Sequence, residues 1–111
     1  MKRTIVIMGQ KWIYRLMSDE RYILVHSDDS EAITVSEKRE IHFRMSFIDL
    51  SVVRHEVRHA FTNELCLESA NLTALQMEEI QCTLDQTRWE ALDIVAKKIF
   101  KNLKSAIEKK R

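Results

Sequence analysis

Proline is absent from this chain of 111 residues, and glycine occurs once, at Gly9. These two residues set sharp turns and left-handed backbone more readily than any others. A chain almost without them has few means of abrupt reversal, so its fold has to rest on helices joined by simple hairpins. The length suits a single domain over residues 1–111. Apolar residues make up 45% of it, enough for one core. A domain this small buries a modest fraction of its surface, and a bound metal would add to its stability. No repeat, linker or low-complexity stretch interrupts it.

Thr4 to Met8 is short and β-branched and reads as a strand, with Gly9 allowing a turn or bulge. Lys11 to Leu16 is aromatic-rich and reads as a second strand. Ser18-Asp19-Glu20 can cap a short helix through about Val25, and Ser27 to Ser30 reads as a loop containing His26 at its edge. Ile33-Thr34-Val35 and Glu40 to Arg44 flank the polar turn Ser36 to Arg39 as a hairpin. In its second strand Ile41 and Phe43 share one face, and Glu40, His42 and Arg44 the other. Asp49 or Ser51 can cap a helix from about Leu50 to Leu65. Its stripe of Val53, Val57, Ala60 and Phe61 lies opposite a flank of Val52, His55, His59 and Asn63, which predicts a helix sandwiched between layers. Thr73 with Gln76 reads as a capping box, with Met77, Ile80 and Leu84 as the stripe of the helix it opens. Leu92, Val95, Ala96, Ile99 and Leu103 keep helical spacing in a last helix from about Thr87 to Ile107. The expected architecture is α+β: a small antiparallel-rich sheet from residues 1–45, which also hold a short helix, a central helix over 49–66, and C-terminal helices over 73–108.

Basic and acidic residues nearly balance, 18 against 17, for a formal charge of +1. Nucleic acid is therefore not the expected partner. The C-terminal lysines Lys97, Lys98, Lys101, Lys104, Lys109 and Lys110 read as a solvated helix face and tail. The apolar run after Met1-Lys2-Arg3, Ile5 to Met8, is too short for a signal segment or a membrane span. The two cysteines, Cys66 and Cys82, form no CxxC and read as free thiols in a soluble protein of the reducing cytoplasm.

The segment that carries chemistry is His55-Glu56-Val57-Arg58-His59. Residues four apart on a helix lie one above the other, so His55 and His59 can aim both imidazoles at one ion. Neutral imidazole is a good zinc ligand, and this HExxH spacing chelates without bending the backbone. Glu56 is rotated about 100° from His55. It stands beside the ion, where a carboxylate can take a proton from an activated water. Catalytic zinc usually has three protein ligands. Glu78 and Glu79 are the candidates for the third, and periodicity does not choose between them.

HExxH followed by a helical glutamate resembles the gluzincin class of metallopeptidases, in which the third ligand commonly opens an ExxAD or ExxSD pattern. The resemblance favours Glu79, which has Cys82 three residues on and Thr83 four residues on. Thr83 departs from the pattern's Asp; its hydroxyl can hydrogen-bond a ligand histidine but carries no charge. Size and layout, from about Ile33 to Leu84, are similar to the ImmA/IrrE-type metallopeptidases of phages and mobile elements. The resemblance implies a minimal zincin-like domain that binds Zn2+ and cleaves a protein or peptide substrate, such as a regulatory protein, in the host cytoplasm if phage-encoded.

The expected function is thus zinc-dependent peptide hydrolysis with Glu56 as base, the alternative being a catalytically silent zincin-like binding or regulatory protein. A substrate strand is expected to pair at the Glu40 to Arg44 strand, with His42 as a candidate contact at that edge. Cys82 reads as a packed thiol or a fourth ligand. A DNA-associated protease with a third histidine ligand is disfavoured, because no histidine follows His59.

Overall fold

The computed structural model describes residues 1–27, 30–66 and 89–109. The expected capping box at Thr73 and the helix it opens lie outside them. Along the described chain run strand β1 (Lys2–Ile7), strand β2 (Gln10–Met17), helix α1 (Asp19–His26), strand β3 (Ala32–Val35), strand β4 (Glu40–Arg44), helix α2 (Leu50–Cys66) and helix α3 (Trp89–Lys109). Short 3-10 turns at Ser36–Lys38 and Met45–Phe47 complete the list.

β1 and β2 form a hairpin in which Ile7 pairs with Gln10, leaving Met8 and Gly9 as a two-residue turn. Both have positive φ, 50° and 79°. This turn shape matches the right-handed twist of the flanking strands, and the one glycine of the chain sits within it. Ile5, Ile7, Trp12, Tyr14 and Leu16 alternate inward from the two strands. Ser18 caps α1, its side chain accepting from Arg21 N, and Ser27 closes the helix in the left-handed region with its N–H on Ile23 O. His26 is therefore the last residue of a helix rather than part of a loop.

The sheet order is β1-β2-β4-β3, with β1/β2 and β3/β4 antiparallel and β2/β4 parallel. The sheet is mixed, and the chain between β2 and β4 is the crossover that a parallel pair requires. The parallel register sets Tyr14 beside Ile41 and Leu16 beside Phe43. All four are buried on one face, so an apolar row runs across the middle of the sheet. This pairing puts β4 in the interior and leaves β3 as the edge, so the expected substrate strand at Glu40 to Arg44 is corrected.

α2 lays Val53, Val57, Ala60 and Phe61 onto that apolar face, and α3 adds Leu92, Ala96, Ile99 and Leu103. Asp49 caps α2, accepting from Ser51 N at 2.6 Å while its carbonyl accepts from Val53 N. Glu64 Oε1 accepts from Trp12 Nε1 at 3.0 Å and Arg39 Nε at 2.7 Å, tying the end of α2 to the sheet. Arg54 reaches Asp93 at 2.7 Å and lies 5.7 Å from the Trp89 ring centroid, tying α2 to α3. α1 packs on the opposite sheet face, with Tyr22 fully buried and Asp19 accepting from Ser46. No helix among the described residues is long and apolar enough to cross a membrane.

Two predictions follow from these supports. No atom lies within 4 Å of a Cβ built on Gly9, so Gly9→Ala meets only backbone strain and should lower unfolding free energy by about 1 kcal/mol in urea titration. Lys97 and then Arg54 hold the Asp93 carboxyl below its ordinary range. A depressed carboxylate stabilises fully above its unfolded value and loses that contribution as pH falls through the folded one. Asp93→Asn should lower stability at neutral pH and flatten its decline in acid, read as midpoints of denaturation across pH 2 to 7 (about one step per unit).

Candidate metal centre

α2 has one face on the core and turns the other away from it. His55 and His59 stand one turn apart on that outer face, and Glu56 sits at the boundary between the two. The Nε2 atoms of His55 and His59 approach to 3.1 Å, with the rings edge to face and centroids 4.7 Å apart. One oxygen of Glu56 lies 4.0 Å from His55 Nε2. Ligand atoms of all three fall within 4.8 Å of one another, the one such group of His, Cys, Asp or Glu among the described residues. The His55 side chain is 68% exposed and that of Glu56 8%. The imidazoles are open to an incoming ion and the carboxylate is sheltered beside them. The expected burial of this helix on both flanks is thus corrected for the histidine flank.

What shelters and orients Glu56 is Thr34 of β3. Its hydroxyl donates to Glu56 Oε1 at 2.8 Å and also lies 3.2 Å from the backbone oxygen of Glu56. With Oε1 held by the strand, Oε2 is the oxygen nearer the histidines. β3 and α2 together wall a groove made of two adjoining hollows, of about 480 and 430 Å³, which share Ala32, His55 and Glu56. Thr62 and Asn63 extend the wall one turn beyond His59. Asn63 Nδ2 is buried and has no hydrogen-bond partner among the described residues.

His55, Glu56 and His59 come together as the sequence predicts. Glu78, Glu79, Thr83 and Cys82 lie outside the described residues. His42 is not brought to the groove. It pairs across the sheet with Ile33 and Arg15, on the face opposite Ile41 and Phe43, and its ring contacts His26. Thr34 and Asn63 line the groove without a function assigned from the sequence. Thr34 carried no signal beyond its place in a short strand. Asn63 was placed on the histidine flank by its spacing, four residues past His59, but nothing in the sequence marked it as polar lining of a groove.

Compared with protein-family models, curated proteins and solved structures, the chain matches none. The site therefore rests on its own geometry.

In that geometry the Thr34 hydroxyl donates to a nearly buried carboxylate. Thr34→Val keeps the shape and removes the donor. It should cost about 1–2 kcal/mol of metal-free stability by urea denaturation, and Thr34→Ser, which retains the hydroxyl, should cost less. Equal stability of Thr34→Val and wild type would mean that the strand does not hold the carboxylate.

Proposed function

We propose that this protein is a zinc-dependent endopeptidase of the HExxH kind, a gluzincin in a minimal zincin-like domain similar to the ImmA/IrrE-type metallopeptidases. The observation that carries this reading is the convergence of His55 and His59 Nε2 beside a carboxylate that a neighbouring strand orients. The donor set fits the ion. Two nitrogens bound at the usual zinc distance in a tetrahedral site lie about 3.3 Å apart, and these lie 3.1 Å apart. His55 and His59 would hold zinc with Glu79 as third ligand, or Glu78 in its place, and Thr83 would support a ligand histidine.

When bound, zinc supplies Lewis-acid polarisation of a peptide carbonyl and makes water acidic enough to attack near neutral pH. The chain's own residues do the rest. Glu56 takes the proton from the attacking water and delivers it to the leaving amine, a role open to a sheltered carboxylate with one oxygen free. Thr34 keeps Glu56 in the orientation that this transfer needs. β3 offers its open edge to an extended segment of a protein substrate, adding a strand alongside the groove. Main-chain pairing there would set the scissile carbonyl in the groove beside Glu56. The unpartnered amide of Asn63 is available to a substrate carbonyl one turn further on. A regulatory protein of a reducing cytoplasm is the substrate class that the resemblance implies.

The test joins metal content to hydrolysis. Elemental analysis of zinc-loaded protein should find the groove ion lost in His55→Ala and weakened in Glu79→Ala but not in Glu78→Ala. Glu56→Gln should keep zinc and lose about 10²–10⁴-fold in cleavage of an unstructured peptide pool followed by mass spectrometry. Zinc binding by both with no cleavage by wild type would favour the catalytically silent binding protein.

A further inference from the structure

A second pair of histidines converges on the other face of the sheet. His26 ends α1 and His42 lies on β4, and His26 Nε2 stands 2.8 Å from His42 Nδ1. Their ring centroids are 4.9 Å apart at 48°. Behind His42, its Nε2 faces Glu40 Oε1 at 3.4 Å, and the same oxygen accepts from Arg15 Nε at 2.8 Å. Tyr22 covers the far side of His26, its ring centroid 4.8 Å away, and its own hydroxyl meets Ser30.

This arrangement fixes the tautomers. The Glu40 carboxylate is bound to the Arg15 guanidinium, and its oxygens accept rather than donate. His42 must then carry its proton on Nε2, which leaves Nδ1 as a bare lone pair aimed at His26. A carboxylate behind one imidazole nitrogen while the other points outward is the support that metal-ligating histidines characteristically have. A hydrogen bond between the rings satisfies the pair without an ion, but only while His26 keeps its proton on Nε2. Moving that proton to Nδ1 presents two lone pairs to one point.

We propose that His26 and His42 form a second metal site, independent of the peptidase reading, for a late first-row divalent ion of the zinc or copper type. Imidazole pairs suit these ions, with copper(II) the tighter. On binding, the ion replaces the proton shared between the rings. That proton passes to His26 Nδ1, so no net charge is released from the pair. The nitrogens must separate by about half an ångström to reach the spacing of a tetrahedral site, a motion that a ring at a helix end can make. Two protein ligands leave the remaining positions to water, so the site should bind more weakly than one with three. It would clamp α1 to β4, which otherwise meet through Tyr22 and the Asp19 contacts to Ser46 and Arg44.

The experiment is titration of the full chain with zinc and, separately, with copper(II), followed by calorimetry and by histidine ring signals in nuclear magnetic resonance. Wild type should take up two ions, His55→Ala one and His42→Gln one. Addition of zinc to His55→Ala should shift the rings of His26 and His42 alone. His26→Asn, at a helix end where the fold tolerates change, should lose the same equivalent as His42→Gln while keeping the wild-type circular dichroism. Retention of both equivalents by His26→Asn and His42→Gln would overturn the proposal, as would His26 and His42 signals that do not move. Loss of an ion in His42→Gln but none in His55→Ala would uphold this site and refute the one on α2.

Discussion

A hydrogen bond 2.8 Å long joins Thr34 on the outermost strand to the carboxylate of Glu56 on α2. Without it, the polar ties between sheet and helix would be those of Glu64 at the helix end, and Glu56 would be a sheltered acid with no fixed direction. With it, one carboxylate oxygen belongs to the strand and the other faces two imidazoles. A nearly buried carboxylate is tolerated only when its oxygens find donors, and a base is useful only when it is aimed. The same hydroxyl meets both requirements.

The rest of the fold brings these two elements to the right separation. Val53, Val57, Ala60 and Phe61 are each 2% exposed or less, so α2 cannot rotate without withdrawing its apolar stripe from the sheet. Its end is fixed by Glu64, which accepts from Trp12 on β2 and Arg39 before β4. On the far side, Arg54 takes up Asp93 of α3. The helix is held from three directions, and among the described residues the side of His55 and His59 is the exposed one. The parallel pairing of β2 with β4 then pushes β3 to the edge of the sheet among the described residues, next to the histidines.

Much of this was legible in the residues. Hydrophobic spacing gave α2 and the stripe of α3, the polar turn gave the β3/β4 hairpin, and HExxH gave the three residues that converge on α2. These signals are local: each depends on residues within a turn or two of one another. What escaped was long-range. The parallel register of β2 with β4 rests on matching Tyr14 and Leu16 to Ile41 and Phe43, residues 27 apart, and nothing in either strand states its partner. The interior position of β4, the edge position of β3 and the role of Thr34 all follow from that pairing. His42 was read as a candidate contact at the substrate edge because β4 was taken for that edge. His26 was read as loop because the polar run Ser27 to Ser30 begins directly after it, whereas Ser27 itself closes the helix in a left-handed conformation.

The account stands or falls on whether one ion bridges His55 and His59 with Glu56 next to it. The most direct measurement is an anomalous difference map from crystals soaked in zinc, recorded on either side of the zinc absorption edge. It should hold a peak about 2.0–2.1 Å from Nε2 of both His55 and His59, with the Glu56 carboxylate adjacent and still bonded to Thr34. A map with no peak between those rings, or with the ion ligated by Glu56 in place of a histidine, would contradict it.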